Sequence, residues 1–140
     1  MLKALKAIGN KGTILAYNAG FELRVLEELA ESFPKESKWL HSVINRIDDL
    51  LTPFREFWYY HPLQNGSCSI KEVLPAFTGE TYEGLAIYEG GGGIIQALAK
   101  LLQGNMSKSE EAKLRAAMLE YCGLDTEGMV DVLRVLNKLI

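Results

Sequence analysis

Residues 12–29, GTILAYNAGFELRVLEEL, decide how the chain is read. Gly12 opens the stretch, and Thr13, Ile14, Leu15, Ala16 and Tyr17 form a short, mostly apolar run closed by Asn18. Such a run between turn formers predicts a strand buried on both faces. The period then changes. Phe21, Val25 and Leu29 recur every four residues with Leu26 beside them, the stripe of a helix packed on one side. A strand therefore hands over directly to a helix. Glu22 falls in the first turn of that helix, at the C-terminal end of the strand, where open α/β sheets gather ligands and catalytic groups. On spacing alone the plainer role is favoured, an acid that faces water and complements the positive end of the helix dipole.

Working outward, Leu2, Leu5 and Ile8 recur at helical spacing, and Gly9-Asn10 stops a short, lysine-bearing lead-in helix. After the central helix, Phe33-Pro34 ends the element, and residues 35–45 start another whose apolar face is Trp39, Leu40, Val43 and Ile47. Residues 46–51 shorten that pattern, and Pro53 marks a new start. On the residues alone Asp49 is a solvated or capping acid beside Arg46. Phe54, Phe57, Trp58, Tyr59 and Tyr60 crowd five aromatics into seven positions. Such a cluster is expected in a core; the functional alternative is a platform on which unpaired bases stack, with Arg55 or Lys71 holding a phosphate. His61, extended before Pro62, reads as a hydrogen-bonded structural residue rather than a ligand.

Ser69 and Glu72 have capping-box spacing and open a helix that carries Lys71 in its first turn and stops or kinks near Pro75. Gly90 to Gly93 form a flexible loop leading into a helix faced by Ile94, Ile95, Leu98, Leu101 and Leu102. The Lys-Ser/Thr ending of a phosphate-binding P-loop is missing there. Ser107 and Glu110 make a second capping box, followed by Leu114, Met118 and Tyr121 at helical spacing. Gly123 is expected to end that helix in a left-handed cap, and Asp125 or Thr126 to cap the last one, faced by Met129, Val132, Leu133, Leu136 and Ile140.

The 140 residues suit a single domain, 1–140, large enough to bury roughly two thirds of the unfolded surface. A net charge of −3 supplies no global basic field for nucleic acid, though a local patch with bound divalent ions would serve. Cys68 and Cys122 lie far apart with no metal-ligand spacing, so neither a zinc site nor a disulfide framework is suggested, and a reduced cytoplasmic setting fits best. No apolar run approaches the ~18 residues that span a bilayer, and no signal-peptide core is present, so no membrane partner is expected.

Two motifs then change the weighting. Tyr17-Asn18-Ala19-Gly20-Phe21-Glu22 resembles the second motif of the ribonuclease-H-like proofreading exonucleases, the DEDD superfamily, in which an asparagine precedes an aromatic-acid pair and the acid binds metal. Tyr121-Cys122-Gly123-Leu124-Asp125 resembles the Tyr-x-x-x-Asp third motif of the tyrosine subgroup. More closely, Asp49-Leu50-Leu51, Tyr60-His61-Pro62, Ser69-Ile70-Lys71-Glu72-Val73-Leu74-Pro75 and Tyr121-Cys122-x-x-Asp125-Thr126-x-x-Met129-Val130 resemble a bacterial domain family of unknown function assigned that exonuclease fold. The likeness runs over nearly the whole chain from Gly12.

The resemblance implies a strongly α-rich α/β fold, a partial ribonuclease-H-like architecture with few strands. It implies 3′-to-5′ exonuclease-like hydrolysis of phosphodiesters with two Mg or Mn ions. Glu22 and Asp125 would be metal ligands meeting in one pocket, and Tyr121 would orient the attacking water. Asn18, Phe21, Tyr60, His61 and Lys71 would hold substrate, with Asp49 an acid near the site. The first motif, Asp-x-Glu on a strand, is missing, for residues 1–10 contain no acid. The ion site is therefore incomplete, and the chain is expected to be the C-terminal portion of a nuclease domain, inactive alone. The contrasting expectation is a non-catalytic helical domain that binds nucleic acid or a protein partner through its aromatic cluster. Unpaired edges of the 12–17 strand would then template a homodimer, or take up the missing strands.

Overall fold

A computed structural model describes residues 2–87 and 91–139, which fall into two compact units, residues 1–60 and 61–140. The first contains α1 (Leu2–Leu5) with a 3-10 turn (Lys6–Ile8), β1 (Ile14–Ala16), α2 (Gly20–Ser32), α3 (Ser37–Ile44), β2 (Ile47–Asp49) and α4 (Thr52–Arg55). The second contains a 3-10 turn (Pro62–Gln64), α5 (Ile70–Thr78), α6 (Gly91–Gln103) and α7 (Lys108–Leu139). The described chain is thus α-rich, with two short parallel strands.

In the first unit β1 pairs with β2 in the register Ile14 to Ile47, Leu15 to Asp48 and Ala16 to Asp49. The amide of Ile14 donates to the carbonyl of Arg46 (2.8 Å), and that of Leu50 to the carbonyl of Ala16 (2.9 Å). Parallel strands need a crossover, and here α2 and α3 provide it. These helices bury Leu26 and Ala30 against Leu40 and Val43, with Ile14, Ile47, Leu2 and Leu5 packed on that cluster. Full burial of each larger aliphatic side chain contributes about 1.5–3 kcal/mol, so this apolar seam holds the short strands in place.

Several expectations are corrected here. The strand is three residues long rather than five, and only Ala16 on it is buried; a two-stranded sheet is too narrow to be covered on both faces. Ile47, expected on the apolar face of the preceding helix, and Asp48-Asp49, where that pattern shortens, form β2, because pairing with β1 overrides a weak local preference. Of the aromatic cluster only Phe54 is core; Phe57, Trp58 and Tyr60 are 69%, 68% and 47% exposed.

In the second unit α5 packs on α7, burying Val73 and Leu74 from one and Tyr121, Val132 and Leu136 from the other. Gly128 is the close-approach point: an added Cβ would lie 2.8 Å from Cδ2 of Leu74. Ser69 caps α5 by accepting from the amide of Lys71 (3.4 Å), and Pro75 is carried inside the helix, which runs on to Thr78 before Gly79 turns left-handed. Three of the four glycines expected in a loop, residues 91–93, begin α6, and Gly90 lies outside the described residues. Gly123 does not end a helix. α7 is continuous through it, and the Thr126 hydroxyl donates to the carbonyl of Cys122 (2.8 Å), so neither Asp125 nor Thr126 is a cap.

Candidate functional site

The strand-to-helix hand-over in the first unit is built by one carboxylate. Asn18 takes a left-handed conformation (φ 64°), which asparagine tolerates better than most residues, and this turns the chain from β1 into α2. Its amide donates to Oδ1 of Asp49 at 2.8 Å, and the same oxygen accepts from the amide of Leu51 at 3.0 Å. Because the strands are parallel, Asp49 ends β2 at the same end of the sheet at which β1 finishes. Glu22 stands in the first turn of α2 and is exposed. Phe21 beside it is exposed, with the Arg24 guanidinium 5.5 Å from its ring centre. An apolar cavity of about 260 Å³ runs along β1, lined by Ile14, Leu15, Val25 and Leu26, and among the described residues Glu22 is its one ionisable lining residue.

The second unit gathers a different set. Tyr121 and Asp125 are one turn apart on α7. The hydroxyl of Tyr82 donates to Oδ1 of Asp125 at 2.7 Å, and the Tyr82 and Tyr121 rings meet at 5.8 Å with a tilt of 50°. The Lys71 ammonium lies 5.3 Å and 5.4 Å from the two ring centres, a cation held over two π faces. Both tyrosines are only 6% exposed. Burial, then the Asp125 carboxylate and Cys122, pushes the Tyr121 phenol above its usual range. Tyr121 is accordingly a neutral hydroxyl at physiological pH, able to donate or accept a hydrogen bond beside a carboxylate.

The structure therefore places Asn18, Phe21, Glu22, Asp49 and Tyr60 in the first unit, and His61, Lys71, Tyr121 and Asp125 in the second. Tyr60 is exposed, its ring 5.8 Å from that of Phe57. His61 holds its own turn: Nδ1 accepts from the amide of Leu63 (3.2 Å), its amide donates to Oε1 of Gln64 (2.7 Å), and its ring meets Phe77 at 5.9 Å. Tyr82 escaped the sequence reading. It lies in an irregular stretch where no periodicity or motif signals it.

Among the described residues no three His, Cys, Asp or Glu side chains group as metal ligands. Around Asp125 the set is one carboxylate, two phenols and an ammonium, which does not fit a pair of divalent ions; these demand several anionic oxygens.

Comparison with known proteins gives one result. A family model described as Domain of unknown function (DUF2779) matches residues 1–69, just under half of the chain, covering the first unit and the turn after it. No curated protein and no solved structure gives a significant match. None of these comparisons links the chain to the tyrosine-subgroup exonucleases.

Proposed function

We propose that the chain is a portion of a metal-dependent nuclease domain, of the 3′-to-5′ exonuclease kind, which is inactive alone. The observation that carries this reading is the Tyr121, Asp125 and Tyr82 arrangement. Tyr121 and Asp125 lie one turn apart on a continuous helix, which supports the reading of a tyrosine beside a ligand acid, and the Tyr82 hydroxyl holds the acid by a hydrogen bond. The turn at Asn18, with Glu22 following in the first turn of α2, agrees with the same resemblance. One carboxylate per cluster cannot hold two ions, so hydrolysis requires acids on an Asp-x-Glu strand supplied by another segment of polypeptide. When bound, Mg or Mn would supply the hydroxide and stabilise the leaving oxygen; this chain's part is to place Asp125 and to hold a water through Tyr121.

Manganese line broadening tests the reading. Substoichiometric Mn²⁺ should broaden amide resonances flanking Asp125 more than those flanking the exposed Glu120, and Asp125→Ala should remove the difference. Equal broadening at the two acids would leave a binding module as the surviving reading. That second reading, a non-catalytic domain that stacks unpaired bases or docks a protein, is favoured by the exposure of Phe57, Trp58 and Tyr60. Replacing Trp58 with alanine should then weaken binding to a short single-stranded oligonucleotide.

A further inference from the structure

The two parallel strands also have an N-terminal end, opposite to Asn18 and Asp49. There the segments entering β1 and β2 border an open cleft of about 550 Å³, lined among others by Asn10, Lys11, Thr13, Asn45, Arg46 and Asp48. Arg46 is incompletely bonded. Its Nη1 donates to the carbonyl of Gly9 at 3.0 Å, while Nε and Nη2 are buried without an acceptor. A guanidinium is charged at any physiological pH, and N–H groups left dry and unbonded are costly. Asp48, two residues on, does not repair this: its Oδ1 accepts from the amide of Asp49 (3.0 Å), and no ion pair of Arg46 occurs among the described residues.

We infer that this cleft binds a phosphate group, with Arg46 and Lys11 as its cationic partners and Asn10, Thr13 and Asn45 as neutral ones. A planar fork with unused donors matches the oxygens of a phosphate, and an exposed ammonium beside it adds a second positive charge. Among the described lining residues Asp48 is the one acid against these two cations, so the cleft keeps a net attraction for an anion. Arg46 and Lys11 line the cleft together, so an anion seated in it meets both positive charges. None of the residues used here belongs to the nuclease reading, so each proposal stands or falls separately.

Titration of the ¹⁵N-labelled full chain with inorganic phosphate, against chloride at equal ionic strength, tests the inference. The expected result is saturable shifts of the Gly12, Thr13, Arg46 and Ile47 amides and of the Arg46 Nε–H. Lys11→Ala, at an exposed position that does not endanger folding, should weaken binding roughly tenfold, and Asp48→Asn should tighten it. A short single-stranded oligonucleotide that saturates the same amides at lower concentration would assign the phosphate to nucleic acid; saturation by inorganic phosphate alone would assign it to a small phosphorylated molecule. Shifts that chloride reproduces, or an affinity that Lys11→Ala leaves unchanged, would overturn the inference.

Discussion

Asp49 and Asn18, 31 residues apart, are joined by a 2.8 Å bond from the Asn18 amide to the Asp49 carboxylate. This bond fixes the turn at which β1 becomes α2, because it stabilises the left-handed Asn18 from the end of the neighbouring strand. The same oxygen also holds the amide of Leu51. Replacing Asp49 with alanine should therefore strand two backbone donors and destabilise the first unit by about 1–3 kcal/mol. Hydrogen exchange checks this locally: the Asn18 and Leu51 amides should lose protection together in Asp49→Ala. Unchanged exchange at Asn18 would show that the turn is held by something else.

Gly123 and Gly128 lie on one helix and should respond to alanine in opposite directions. At Gly123 nothing lies within 4 Å of an added Cβ, and the position is inside α7, so Gly123→Ala should stabilise by about 0.5–1 kcal/mol. At Gly128 the Cβ would meet the fully buried Leu74 at 2.8 Å. Leu74 is fully buried, so pushing its Cδ2 aside disturbs the packing around it, and overpacking of about 1–3 kcal/mol outweighs the gain in helix propensity. Urea denaturation of both variants measures the contrast. A destabilised Gly123→Ala would mean that the helix breaks at this glycine after all.

These two glycines also show what could be read from the chain before its fold was known. The β1 to α2 hand-over was legible because a period-free apolar run and a four-residue stripe abut at Asn18, and both signals are local. β2 was not, since Ile47, Asp48 and Asp49 hold one apolar residue among three and become a strand only through pairing with Ile14 to Ala16. Gly123 followed by Asp125 and Thr126 has the local form of a stop and a restart, yet the packing of α5 along α7 favours one long helix over two short ones. Of the candidate site, Tyr121 and Asp125 were legible as a spaced pair. Tyr82, which touches both, was not, since a contact across 43 residues from an irregular segment leaves no periodic trace.

The cap of α7 carries a pH dependence. The Ser107 hydroxyl donates to Oε2 of Glu110 at 2.7 Å and the Ser107 amide to the same oxygen at 2.8 Å, while the Glu110 amide donates back to Ser107 Oγ at 3.3 Å. The hydroxyl and amide donors hold the Glu110 carboxyl below its ordinary 4.5. With the folded value depressed, the stabilisation is present above pH 4.5 and is lost as the pH falls through the folded value. Glu110→Gln should flatten that acid limb in a helicity measurement by circular dichroism, and an unchanged limb would mean that the box is open in solution.

Tyr121 gives the complementary dependence at high pH. Its phenol is pushed above 10.0 first by burial and then by the Asp125 carboxylate one turn away, whose charge opposes formation of a phenolate. The sign is the reverse of that for Glu110. A raised folded value means that the stabilisation is whole below pH 10.0 and disappears as the pH rises through the folded value. In a titration of phenolate absorbance Tyr121 should therefore ionise late, above 10.0. Asp125→Asn should bring it back only part of the way, because burial is the larger cause and remains. Tyr121→Phe should reduce the late-ionising absorbance by one phenol. If Asp125→Asn leaves that absorbance in place, the carboxylate does not bear on the phenol, and the pairing on which the nuclease reading rests is lost.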